Sequence, residues 1–149
     1  MKALSIDPEY TWYIFNNEKT IECRTWKTNY RGPLLICASK IPVPGCISGH
    51  AYCTAELVDV VDFNESHVEA AMMEGVPEGK AYAWILDDVR PIYPIPVRGK
   101  MGLFDVDDSL IKYLDEEFSD DVTEAELEKA GREFFEKYIN PLVYLPAQL

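Results

Sequence analysis

The stretch N-E-K-T-I-E-C-R, Asn17 to Arg24, decides how this chain is read, because it sets Lys19, Glu22 and Arg24 side by side directly after a helix signal. Upstream, Asp7-Pro8 predicts a helix start. Asp offers a side-chain cap, and Pro at the first helical position gives up no hydrogen bond. That helix runs through Tyr10, Tyr13 and Ile14 and stops at Asn16-Asn17, since Asn tolerates the positive φ of a sharp exit. Lys19 to Arg24 then leaves as a strand. Alternation puts Ile21 and Cys23 on one face, Glu22 and Arg24 on the other.

Beyond this stretch, P-L-L-I-C-A (Pro33–Ala38) is short, apolar and bounded by turn residues, which predicts a buried strand. Ala51 to Phe63 reads as a longer strand that bends. Asn64 caps a short helix in which Val68, Ala71 and Met72 share a face, ending near Gly75. Lys80 to Val89 is the next strand, with Trp84 in the core. Pro91, Pro94 and Pro96 remove three ladder donors, so the following segment is expected to be an edge or an extended crossing. Leu103, Phe104 and Val106 form a last strand. Two helices are expected after it. One places Leu110, Leu114 and Phe118 on a face, with Asp107 or Asp108 as its cap. The other opens on the capping box of Thr123 and Glu126 and turns Leu127, Ala130, Phe134 and Tyr138 inward. Short strands with peripheral helices predict an α+β domain built on a small, strongly curved or barrel-like sheet.

The 149 residues are 48% hydrophobic, enough for one core of ordinary size. No apolar run of membrane-spanning length and no secretory leader is read, so a soluble, cytoplasmic protein is expected. The four cysteines form no C-x-x-C pair and read as reduced thiols. Cys46, His50 and Cys53 lack a fourth ligand at zinc spacing, and no metal or cofactor is expected. P-loop, G-x-G-x-x-G, H-E-x-x-H and G-x-S-x-G motifs are missing. His50 reads as a turn residue and His67 as solvent-facing.

With 14 basic and 26 acidic residues the net charge is −12, which argues against binding a long duplex. The charge is unevenly spread. Residues 105–137 hold 13 acids and 4 bases, whereas residues 19–40 hold five bases and one acid. A compact basic site on an acidic body suits a small anionic or nucleotide-sized ligand.

The signature Asn17-x-Lys19-x-x-Glu22-x-Arg24 resembles the G-x-K-x-x-E-x-R motif of the ASCH domain family, in the PUA-like superfamily. Asn17 stands where the family usually has Gly. Arg31-Gly-Pro-Leu-Leu-Ile resembles the family's R-G strand, and the strands near 50–58 and 83–91 with the Pro-rich crossing also agree. The resemblance covers residues 1–106 and leaves 107–149 as a C-terminal helical extension packed on the same domain. It implies a PUA-like barrel and binding of RNA or nucleotide-like ligands beside the motif. Some small relatives hydrolyse an amide on an acetylated cytidine nucleoside with a Lys, a Thr nucleophile and a Glu. By motif the Lys falls on Lys19, but the Thr position falls on Glu22, which is no hydroxyl nucleophile. Thr20 is the nearest substitute, and Glu69 and Glu74 are candidates for the third role.

Independently of any family, a carboxylate between two cations can hold both by charge-assisted hydrogen bonds and leave donors free for a cleft. Trp26 and Tyr30 offer aromatic faces; Arg31, Ser39, Lys40, Arg98 and Lys100 offer polar contacts to a base and its phosphate. The leading expectation is an RNA- or nucleotide-binding module. Two alternatives stay open. One is a hydrolase of a modified nucleoside or of RNA, with Lys19 as base, Glu22 orienting it and Arg24 stabilising negative charge. The other is an interaction module whose acidic helices meet a basic protein partner. A structural ion pair joining helix to strand accounts for Glu22 and Arg24 equally well.

Overall fold

The computed structural model describes residues 1–147. In chain order the main elements are β1 (Lys2–Ile6), α1 (Pro8–Phe15), β2 (Ile21–Arg24), β3 (Gly32–Ala38), β4 (His50–Asp62), β5 (Tyr82–Pro96), β6 (Leu103–Asp105) and α2 (Glu124–Phe134). The six strands form one sheet in the order β2-β5-β4-β3-β1-β6, curled into a half-barrel. The α+β class and the curved sheet are as expected.

β3 explains why an uninterrupted apolar run was needed. Leu34 and Ile36 face a core cluster with Ile14, Trp84 and Leu57, while Leu35 and Cys37 face a second cluster with Ile92, Val97 and Phe104. A strand covered on both faces has no polar side to alternate with. Trp84 is fully buried and satisfies its indole by donating to the Trp26 carbonyl at 3.2 Å. β4 and β5 pair over their length with three register shifts, the bulges that bend so long a hairpin.

β1 was not anticipated. It lies inside the sheet, parallel to β3 (Ala3↔Leu35) and antiparallel to β6 (Ala3↔Phe104). Asp7 sits at the cap of α1 without a side-chain cap bond; Thr11 Oγ1 instead donates to the Asp7 carbonyl. The prolines of β5 fall where β2 no longer reaches. β2 pairs only with Tyr82 to Ile85, and the far half of that edge is met by an isolated Ile92↔Tyr113 bridge. There the missing N–H groups cost little.

Two expected helices are shortened by tertiary bonds. After Asn64 the chain makes a 3-10 turn (Glu65–His67) with a reciprocal cap between Asn64 and His67, then turns through Met72 at φ 57°. The Ala70 carbonyl is claimed by the Thr20 and Ile21 amides, and the Ala71 carbonyl by Lys19, so no helix continues. Between 107 and 118 there are two 3-10 turns, Asp108–Leu110 and Leu114–Glu117, with Asp107 capping the first. Helix here would break the extended pairing of Tyr113 and Lys112 with β5 and the bidentate Arg90–Asp115 ion pair.

α2 opens on the expected Thr123–Glu126 capping box. Its apolar stripe does not all face inward: Phe134 is buried, while Leu127 and Tyr138 are exposed. A π-turn over Phe135–Ile139 slips the helical phase, so Ile139 rather than Tyr138 enters the core. Phe134 and Ile139 close a third cluster with Ala38, Ile47 and Tyr52, joined by Trp12 and Phe15 of α1.

Candidate functional site

Asn17, at φ 60°, turns the chain from α1 into β2. The Glu18 and Lys19 amides then close on the Tyr13 carbonyl. This geometry swings Lys19 beneath the helix. Lys19 is only 2% exposed; its Nζ donates to the Ala71 carbonyl at 2.6 Å, lies 3.5 Å from Glu22 Oε1, and stands 4.7 Å over the Tyr10 ring. Burial holds its pKa below the ordinary lysine value, and the Glu22 carboxylate pulls the other way.

Glu22 is itself buried and divides its oxygens. Oε1 accepts the Cys23 amide at 3.1 Å, and Oε2 accepts Arg24 Nη2 at 3.1 Å. The same Nη2 donates to the Ser5 carbonyl of β1 at 2.7 Å, so the triad ties β2 to a strand distant in the sheet order. Arg24 Nε is buried and has no partner among the described residues.

Ser5 is the hinge of the site. It borders a cleft of about 230 Å³ with Asp7, Tyr10, Glu22, Cys23 and Arg24. It also borders a wider one of about 430 Å³ with Ser39, Lys40, Arg98, Gly99 and Lys100. A Cβ on Gly99 would stand 2.5 Å from Ser5 Oγ and 3.1 Å from its Cβ, so glycine lets the 98–102 loop approach the Ser5 side chain this closely. Ser39 Oγ is buried and unpartnered, and Lys40, Arg98 and Lys100 form no ion pair among the described residues.

The structure thus brings together Glu22, Arg24, Ser39, Lys40, Arg98 and Lys100, with Lys19 sealed behind them. It does not bring Trp26, Tyr30, Arg31 or Thr20 to either cleft. Trp26 packs edge-on against Trp84 at 4.7 Å. Tyr30 hydroxyl donates to the Pro33 carbonyl, and Arg31 pairs with Asp59 and two local carbonyls. Thr20 is exposed, with its backbone amide on the Ala70 carbonyl. Glu69 and Glu74 are exposed and make no bond to the triad among the described residues. His50 lines a different cavity, beside Pro94 and Tyr138. Among the described residues no cluster of His, Cys, Asp or Glu is arranged to hold a metal ion, and no helix is long and apolar enough to cross a membrane.

Ser5, Asp7, Tyr10 and Cys23 were missed as site residues. Tyr10 had a signal, since it is one helical turn before Ile14 on the helix set by Asp7-Pro8. Ser5 had none without β1.

The ASCH domain family model matches residues 4–96. The chain belongs to the ASCH domain family. Its ASCH match takes in Ser5, the Lys19–Arg24 triad and Lys40, and ends before the Arg98–Lys100 loop, which supplies the other wall of the wider cleft. Among solved structures it is similar to the ASCH protein of Zymomonas mobilis, at 20% identity and a TM-score of 0.56, covering 72% of this chain and 88% of that one. A Tyr-to-Phe variant of that protein aligns at 21% identity and TM-score 0.53, over 74% and 98% of the two chains. A Ser-to-Ala variant aligns at 20% and 0.55, over 74% and 96%. At such identity the likeness is one of fold. No curated protein matches.

The four thiols differ in access. Cys37 and Cys53 are sealed in the sheet, with burial pushing Cys37 up to about 12, and Cys46 is buried beside the C-terminal segment. Cys23 alone is partly open, and burial followed by the Glu22 charge raises its pKa. A thiol reagent should therefore modify one cysteine in the native protein, slowly at neutral pH and faster as pH rises. Peptide mapping should place the label on Cys23.

Proposed function

We propose that this ASCH protein binds RNA or a nucleotide in the paired clefts on either side of Ser5. The observation that carries this is the convergence of Lys40, Arg98 and Lys100 on a cleft with no acidic lining among the described residues, which meets at Ser5 the smaller cleft that holds Arg24. The chemistry divides naturally. A phosphate suits the side with three cations and the unpartnered Ser39 hydroxyl. A nucleoside suits the side lined by Tyr10, where the carboxylates of Asp7 and Glu22 can accept from amino and hydroxyl groups. The small volumes and the net charge of −12 favour one or a few unpaired nucleotides over a duplex.

Titration with cytidine and adenosine monophosphates and with short single-stranded RNA, followed by calorimetry at low salt, tests this. Arg24→Ala or Lys40→Ala should weaken binding about tenfold, the worth of one charge-assisted contact. Lack of binding at low salt, or binding indifferent to both substitutions, counts against the proposal.

Hydrolysis of an acylated cytidine at the same cleft has one observation in its favour, the lowered pKa of Lys19. Against it, every donor direction of that ammonium is taken up by the Ala71 carbonyl, Glu22 and the Tyr10 ring. Chromatography of the same mixtures after incubation separates turnover from binding.

A further inference from the structure

The segment beyond the family match builds a second cavity that shares no lining residue with the basic clefts. About 310 Å³ in volume, it is lined by Tyr93, Phe118, Phe134 and Tyr138 together with Glu117, Glu133 and Lys137. Tyr93 stands edge-on to Phe134 (5.3 Å, 79°) and to Tyr138 (4.9 Å, 89°), and its hydroxyl donates to Glu117. Phe134 and Tyr138 also meet at 5.6 Å, so the three rings pack against one another in fixed orientations and line the cavity together. A neighbouring cavity of about 360 Å³ shares Tyr138 and Lys137 with it and is lined by Pro94, Pro96 and Pro141, so the apolar surface continues past the first cavity.

Two features identify what would occupy it. Aromatic faces attract cations through their quadrupole, and the exposed Lys137 already rests its Nζ 5.2 Å over the Tyr138 ring. The surrounding residues 105–137 carry 13 acids against 4 bases, a field that repels phosphate and draws in positive charge. Among the described residues Glu133 pairs only with the exposed Lys129, at 3.9 Å, a contact weak enough to exchange.

We propose that this groove docks an extended basic segment of a protein partner, with a Lys or Arg side chain entering the ring cavity against Glu117 and Glu133. The neutral stem of such a side chain packs on the rings while its charged end meets the carboxylates. The proline-lined neighbour receives the flanking residues of the peptide by surface contact. Docking here is independent of the nucleotide clefts.

The test is fluorescence polarisation of a labelled peptide of alternating Arg and Gly with the full chain, beside a Glu-Gly peptide and a single-stranded oligonucleotide. The Arg peptide should bind and the other two should gain nothing from this groove. Tyr138→Ala, and separately the pair Glu117→Gln and Glu133→Gln, should each weaken the Arg peptide about tenfold, as expected for an aromatic anchor and its counter-charges. The pair Glu124→Gln and Glu128→Gln lies outside the groove and should change affinity less than about twofold. Three results overturn the proposal: no binding of the Arg peptide, an equal loss from the outer pair, which means diffuse attraction, or oligonucleotide binding that depends on Tyr138.

Discussion

Glu22→Ala should cost about 3–5 kcal/mol of folding stability, the penalty for leaving a buried charge without its partner. Lys19 is 2% exposed and would keep only a carbonyl and a ring face as company. For a chain of this length the melting temperature should fall by about 10 °C. Glu22→Gln should fall between the variant and the parent, because the amide oxygen can still accept from the Cys23 amide or Arg24. The pH dependence has a definite sign. The unfolded chain holds the Lys19 proton up to its ordinary value of 10.5, and the native protein releases it at a lower pH. Within that window unfolding takes up a proton, so stability rises with pH, and the penalty is complete below the folded-state value. Removing Glu22 deletes the charge that raises the folded value and widens the window. Urea denaturation at neutral and at alkaline pH should show Glu22→Ala recovering part of its loss at the higher pH, and recovering more than the parent gains. A loss under about 1 kcal/mol at neutral pH would mean that the triad behaves as a solvated pair.

Cutting the chain after Val106 should abolish folding. Residues 107–147 supply Phe134 and Ile139, both buried, with Leu142 and Val143 packed beside them over Tyr52, Ile47, Trp12 and Phe15. At about 2 kcal/mol for each well-buried apolar side chain, their removal consumes a large part of the 5–15 kcal/mol that holds an ordinary domain together. Phe134→Ala in the whole chain is the milder form of the experiment and should cost about 3–5 kcal/mol by denaturant titration. A 1–106 fragment that is monodisperse and shows native-like amide dispersion would establish that the extension is dispensable for the fold.

What could be read in advance follows from how local each signal is. The P-L-L-I-C-A strand, the Asn17 turn and the Thr123–Glu126 box are written in neighbouring residues, and each is found in the structure. The Lys19–Glu22–Arg24 triad was legible for the same reason, since a strand beginning after a fixed turn leaves little choice of direction. The acceptors that complete it were not. Ala71 is 52 residues from Lys19 and Ser5 is 19 from Arg24, and nothing in the local pattern announces either carbonyl. The helices expected near 65–75 and 107–118 failed where distant strands outbid the i to i+4 ladder. The apolar stripe of α2 held at Phe134, but Leu127 upstream faces solvent, and the π-turn shifts the phase so that Ile139 replaces Tyr138. Trp26 and Tyr30 show a further limit: an aromatic near basic residues in sequence was spent on the core and a turn.

The placement of β1 also governs how this protein comes into being. Its neighbours are β3, about thirty residues later, and β6, about a hundred residues later, and the Met1 amino group donates to the Val106 carbonyl. A strand that waits so long for its second partner raises the loop-closure cost and slows the barrier crossing. During synthesis β1 leaves the ribosome well before β6, so it waits for its second partner, and the Ser5 wall stays unfinished until β6 has been translated. A nascent chain stalled before Leu103 should therefore expose one edge of β1 to chaperones, and should acquire neither a complete sheet nor its basic cleft until synthesis resumes.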